Sequence, residues 1–175
     1  MKFALKSIAT VSLFSALTVL PILSSAELAS AQTARGMTGS YVGAGVSVSP
    51  TNSDDDQILG GNVQGRLDIQ ELPVSLRAAY LFNGDNSALM PILSYDIGIA
   101  PNTNLYVGGG YSFVLGNENT ASPLGNQNAP FVTLGAETAV QRNVVLYSDV
   151  KVGFDAYRNS SDTAVSVQVG GAYRF

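Results

Sequence analysis

Val144-Val145-Leu146-Tyr147-Ser148-Asp149-Val150-Lys151-Val152-Gly153-Phe154 alternates with a period of two. Leu146, Val150 and Val152 share one parity and Phe154 closes the run, while Tyr147, Asp149, Lys151 and Gly153 share the other. Successive side chains of an extended chain point to opposite faces, so this is a strand with one apolar face and one polar face. Alternation alone does not say whether the apolar face meets lipid or the packed core of a soluble barrel.

The same pattern recurs from residue 40 almost to the end. It predicts eight strands over 40–49, 61–70, 74–82, 89–99, 105–114, 131–140, 144–154 and 164–175. Each has about the 9–11 residues that a tilted membrane-crossing strand needs. No segment after residue 31 has a sustained helical period. The connections alternate as well. Residues 50–60, 83–88, 115–130 and 155–163 are longer and rich in Asn, Asp, Ser and Gly, whereas 71–73, 100–104 and 141–143 are short. Pro101-Asn102 and Arg142-Asn143 are ordinary turn pairs. Four long loops at one end and three tight turns at the other is the asymmetry of an outer-membrane barrel. Tyr41-Val42-Gly43-Ala44-Gly45 in the first strand is echoed by Tyr106-Val107-Gly108-Gly109-Gly110 in the fifth. Shared constraints explain that echo as well as duplication does.

Three features decide which face points inward. The apolar face, with Val42, Val46, Leu67, Leu76, Leu93, Val107 and Leu134 among its members, carries no charge. Arg or Lys on a lipid face costs roughly 2–4 kcal/mol at the midplane, so that absence has meaning. The other face is small and polar, with Gly43, Gly45, Ser47, Ser75, Ser94, Thr133, Gly135 and Ser166. A narrow, filled interior accommodates such residues. Its charges are Arg66, Arg77, Lys151 and Arg174 against Asp68, Asp96, Glu137 and Asp149, a balance expected of a buried ion network. Aromatic residues fall where strands cross the interfaces: Phe82, Phe113 and Phe154 on the long-loop side, Tyr173 and Phe175 on the other.

The first 31 residues read as a cleavable secretory signal, with Lys2 and Lys6 ahead of an uncharged stretch from Ile8 to Leu23 and Ala29-Ser30-Ala31 as the cleavage site. Ser12, Ser15, Thr18 and Pro21 dilute and break that stretch, against a retained helix. The barrel domain is then 32–175, with no second domain expected. Losing Lys2, Lys6 and Glu27 leaves 7 basic and 12 acidic residues, a net charge of −5. An acidic chain without a basic patch argues against nucleic-acid binding. The chain has neither cysteine nor histidine. Disulfides and a lipoprotein anchor are excluded, and zinc sites and catalytic triads lose their commonest participant.

The terminal stretch Gln168-Val169-Gly170-Gly171-Ala172-Tyr173-Arg174-Phe175 resembles the assembly signal of bacterial outer-membrane proteins: a polar residue, a glycine, then aromatics third from last and last. With the signal sequence and eight runs, the chain resembles the small outer-membrane barrels of the OmpA/OmpX type, a porin-like architecture. The resemblance implies an all-β, eight-stranded, antiparallel up-and-down transmembrane barrel in a bacterial outer membrane. It implies that Gln168, Gly170, Tyr173 and Phe175 engage the barrel-assembly machinery. Outer-membrane lipid and lipopolysaccharide are the expected surroundings, and a surface ligand would meet the loops. A monomer without cofactor or metal is expected. Asp54-Asp55-Asp56 lacks the alternating spacing of a calcium loop and reads as a solvated tip. Some barrels of this kind are lipid-modifying enzymes with a histidine base. Here no nucleophile–base pattern exists, so Asp149 with Lys151, and Arg66 with Asp68, read as a structural ion network. The leading expectation is a non-enzymatic structural or surface-interaction protein; the alternative is a narrow porin-like channel for small solutes.

Overall fold

The alternating runs pair in chain order in the computed structural model. It describes residues 36–49, 58–69, 71–84, 86–116, 122–158 and 163–175. The expected signal peptide (1–31) and the aspartates at 54–56 lie outside the described residues. The strands are β1 (Tyr41–Ser49), β2 (Ile58–Asp68), β3 (Val74–Phe82), β4 (Asn86–Ala100), β5 (Thr103–Gly116), β6 (Ala129–Gln141), β7 (Val144–Gly153) and β8 (Ala164–Arg174). Each is antiparallel to its neighbour, and β1 pairs with β8, Tyr41 opposite Arg174, to close the barrel. Closure removes the unpaired edges that an open sheet would present.

The central strands are longer than the sequence predicts. β4 has 15 residues, β5 14 and β6 13. The expected connection 83–88 shrinks to 83–85 and 100–104 to 101–102, because Asn86 and Ser87 continue the ladder opposite Gly116 and Leu115, and Thr103 already faces Ala100. Polar residues end the apolar signal without ending the backbone pairing. The tight turns use the expected chemistry: Asn102 takes φ +60, and Asn143 Nδ2 donates to the Arg174 carbonyl at 2.8 Å. The β4–β5 and β6–β7 ladders shift register near these turns, between Gly98 and Ala100 and between Ala139 and Gln141. Such bulges are common at barrel rims.

The two faces separate as predicted. Among the described strand residues no outward position is charged, and Val42, Leu67, Leu93, Val107 and Leu134 (63% exposed) stand open on that side. Exposed aromatics gather towards both ends: Tyr80, Phe82, Tyr111, Phe113 and Phe154 at the loop end, Tyr95, Tyr173 and Phe175 at the turn end. The inward face is polar only in part. Towards the loop end it carries Leu81, Met90, Ile92 and Phe131, and these pack with Leu124 from the β5–β6 connection. Towards the turn end a second cluster joins Met37, Tyr41, Val145, Tyr147 and Ala172. The buried charges lie within the same interior.

Candidate functional site

The interior holds the densest chemistry among the described residues, and it is built from strand register. Arg66 on β2 and Arg77 on β3 are direct register partners. Both point inward by parity, and like charges so placed repel. Asp96 from β4 and Glu137 from β6 resolve the conflict. Asp96 reaches Arg66 Nη2 with Oδ2 at 2.8 Å and Arg77 Nη2 with Oδ1 at 2.9 Å. Glu137 reaches Arg66 Nη1 with Oε1 at 3.0 Å and Arg77 Nη1 with Oε2 at 2.8 Å. The four groups form a closed ring in which cation and carboxylate alternate. Every member but Asp96 is essentially sealed from solvent, so the pairs are strong in place and costly to break singly.

The remaining valences of the ring are filled. Arg66 Nε donates to Ser75 Oγ (2.9 Å), whose hydroxyl donates to Asp96. Arg77 Nε donates to Ser94 Oγ (2.8 Å), whose hydroxyl donates to Asp96 Oδ1 (3.0 Å). The Tyr41 hydroxyl donates to Glu137 Oε2 at 3.0 Å and accepts from Arg77 Nη1 and Gln64 Nε2. The Arg77 guanidinium lies 3.7 Å above the Tyr106 ring, a cation–π contact in a desolvated setting.

Lys151 forms a separate pair. Its ammonium donates to Asp149 Oδ1 at 2.5 Å and Gln168 Oε1 at 3.3 Å, and the Tyr106 hydroxyl donates to Asp149 Oδ2 at 2.9 Å. Two glycines make room for the tyrosines. A β-carbon added at Gly135 would overlap the Tyr106 phenol, and one at Gly170 would overlap the Tyr147 phenol. Thus the tyrosines of the β1–β5 echo, Tyr41 and Tyr106, are both buried and both donate to a carboxylate of the interior.

The structure brings seven of the eight predicted interior charges into these contacts and leaves Arg174 outside. Arg174 shares the inward parity but is the last residue of β8. There its guanidinium donates to the Arg142 carbonyl (2.9 and 2.6 Å) and the Thr38 carbonyl (3.3 Å). Parity gives the face of a strand residue and not its depth. Three cations therefore meet four carboxylates, with the fourth, Asp68, partly exposed at the rim, accepting from Arg66 Nη2 at 3.3 Å and Gly39 N at 2.8 Å. The terminal motif divides between faces: Gln168 and Gly170 point inward into the contacts above, while Tyr173 and Phe175 point outward and are 60% and 69% exposed. Tyr41 and Gln64, Asn104 (Nδ2 donating to Glu137 Oε1 at 3.1 Å) and Asn62 (Oδ1 accepting from the Tyr147 hydroxyl at 2.5 Å) are further partners that only inward parity marks in the sequence. Met37 and Leu124 carried no signal, since they lie outside the alternation.

Chemically the buried charges of the interior form a lattice of satisfied pairs. Among the described residues Ser75 and Ser94 donate to a carboxylate, and each also accepts from an arginine Nε and is buried, so neither hydroxyl is open to solvent.

No family model matches the chain, and no curated protein matches it. Among solved structures, a de novo designed transmembrane β-barrel is 20% identical with a TM-score of 0.51, covering 78% of this chain and 96% of its own. Neisserial surface protein A is 17% identical with a TM-score of 0.56, covering 79% of this chain and 98% of its own. At these identities the likeness concerns the fold, a closed eight-stranded antiparallel barrel.

Proposed function

We propose that this chain is a non-enzymatic outer-membrane barrel with a structural or surface-interaction role, its turn end facing the periplasm and its long loops facing outward. The observation that carries this reading is the division of faces. A continuous outward belt without charge is bounded by aromatics at both ends, and the interior is filled by ion pairs and apolar side chains. A belt of that extent would be untenable in water and is what a bilayer requires. Its likeness to a surface protein and to a designed transmembrane barrel supports the same placement. Residues 1–31 would direct export, Tyr173 and Phe175 would present the assembly signal, and lipopolysaccharide would surround the loop-end belt.

The test is cell fractionation combined with protease added to intact cells. The reading predicts full-length protein in the outer-membrane fraction, starting near Gln32 and cut only within the long loops. Recovery in a soluble fraction would refute it. A narrow channel is the second reading, raised by the many inward glycines, but a β-carbon at Gly43 or Gly45 would collide with β8, so these two mark close strand approach and not open space. Eight strands leave an interior only just wide enough for side chains, which places it second.

A further inference from the structure

The barrel is closed at each end by a residue from outside its strands, and the two closures differ in kind. At the loop end Leu124 is 1% exposed and sits in the apolar cluster of Leu81, Met90 and Phe131. At the turn end the segment Gly36–Gly39, ahead of β1, enters the mouth and buries Met37 to 2% exposure. Asn104 at the start of β5 grips it from both sides: Met37 N donates to Asn104 Oδ1 at 2.9 Å, and Asn104 Nδ2 donates to the Met37 carbonyl at 2.7 Å. Gly39 N donates to Asp68 Oδ2 at 2.8 Å, and Arg66 Nη1 approaches the Met37 and Gly39 carbonyls at 3.5 Å. Gly36 lies so close to Asn104 and Gly98 that a side chain there would collide with both.

We propose that Gly36–Gly39 is a releasable strap that gates water and small ions between the turn-side solvent and the barrel interior. Its grip is polar. When the strap leaves, Arg66 keeps Asp96 and Glu137, Asn104 keeps its 3.1 Å bond to Glu137, and water takes the freed valences of Asn104 and Asp68. No buried charge is orphaned, so release avoids the penalty that makes such ruptures prohibitive elsewhere. The loop-end closure has no such exchange, because water cannot replace the packing around Leu124. Deeper inside, Gln64 Oε1, Ser112 Oγ, Thr133 Oγ1, Ser166 Oγ and Gln168 Nε2 are buried without a partner among the described residues, and entering water would satisfy them. The interior therefore rewards hydration from the end whose closure is exchangeable.

The chain has no cysteine, so a single introduced thiol reports access cleanly. Ala172→Cys places it inward, in the buried cluster that contains Met37; Arg142→Cys places it on an exposed turn as a control. The mature barrel, refolded in lipid nanodiscs, is treated with a charged methanethiosulfonate. The strap predicts slow labelling of the Ala172→Cys thiol. It predicts labelling about tenfold faster when Asn104→Ala removes both bonds to Met37, with the control rate unchanged. Should that variant fail to fold, Met37→Ala keeps every backbone bond, weakens the apolar anchor, and is expected to accelerate labelling likewise. Equal rates in the parent and both variants would overturn the proposal. So would acceleration of the same size by Leu124→Ser alone, which would place the entrance at the loop end.

Discussion

Arg66 and Arg77 stand directly opposite one another in the β2–β3 ladder, and the same two carboxylates, Asp96 and Glu137, bind them both. A repulsive cross-strand pair thereby becomes the device that ties β2 to β4 and both β2 and β3 to β6, links that the backbone ladder does not make. The ring makes long-range demands on register: slipping any of the four strands by one residue would turn its member outward into the apolar belt.

Removing one member should hurt far more than removing the arginine outside the ring. Glu137→Gln leaves two buried guanidiniums sharing fewer carboxylates, a loss of about 3–5 kcal/mol. Arg174→Met removes contacts at a solvated rim and should cost less than about 1 kcal/mol. Urea unfolding of the barrel in lipid measures both, and equal losses would show that the ring does not hold the interior together.

The glycines beneath the tyrosines give a second test. Gly135→Ala drives a methyl group into the Tyr106 phenol and should destabilise by about 1–3 kcal/mol. Adding Tyr106→Leu removes the nearest obstruction and leaves Asp149 Cβ close by, so the double variant should be more stable than the summed singles by about 1 kcal/mol. Strict additivity in the same unfolding assay would mean the contact carries no strain.

Much of this architecture is legible in the sequence, because a two-residue period fixes which side chains share a face. Lys151 and Asp149 could be placed together from spacing alone, as could the charge-free face that holds Val107. Three things were not legible. Arg174 follows the inward parity yet lies at the rim, since periodicity carries no coordinate along the barrel axis. The inward face is apolar towards the loop end, where Leu81, Met90 and Phe131 break the small-and-polar rule, as Tyr41 and Val145 do near the turns. Met37 and Leu124 close the ends from segments that have no period at all.

The face assignment predicts an asymmetric response to arginine. Val107→Arg puts a charge in the middle of the belt and should cost roughly 2–4 kcal/mol, whereas Thr163→Arg, exposed ahead of β8, stays hydrated. Refolding yields into lipid vesicles compare the two. Indistinguishable yields would contradict the lipid-facing assignment.

For the terminal motif, the split between faces lets the proposed assembly role be tested apart from interior packing. Tyr173→Ala with Phe175→Ala should lower the outer-membrane level in cells while leaving cleavage after Ala31 intact, because both side chains point outward and hold no interior contact. Normal levels of the double variant by quantitative immunoblot would assign those aromatics to the interface alone.

A filled interior is tested most directly by single-channel recording of the purified wild-type barrel in a planar bilayer. To cross it, a solute must displace Leu124 and Met37 and part the ring of Arg66, Asp96, Arg77 and Glu137, whose pairs are desolvated. The prediction is insertion without stable porin-sized steps, any current being small and flickering. Reproducible large steps from the wild-type protein would contradict it and put the channel reading first.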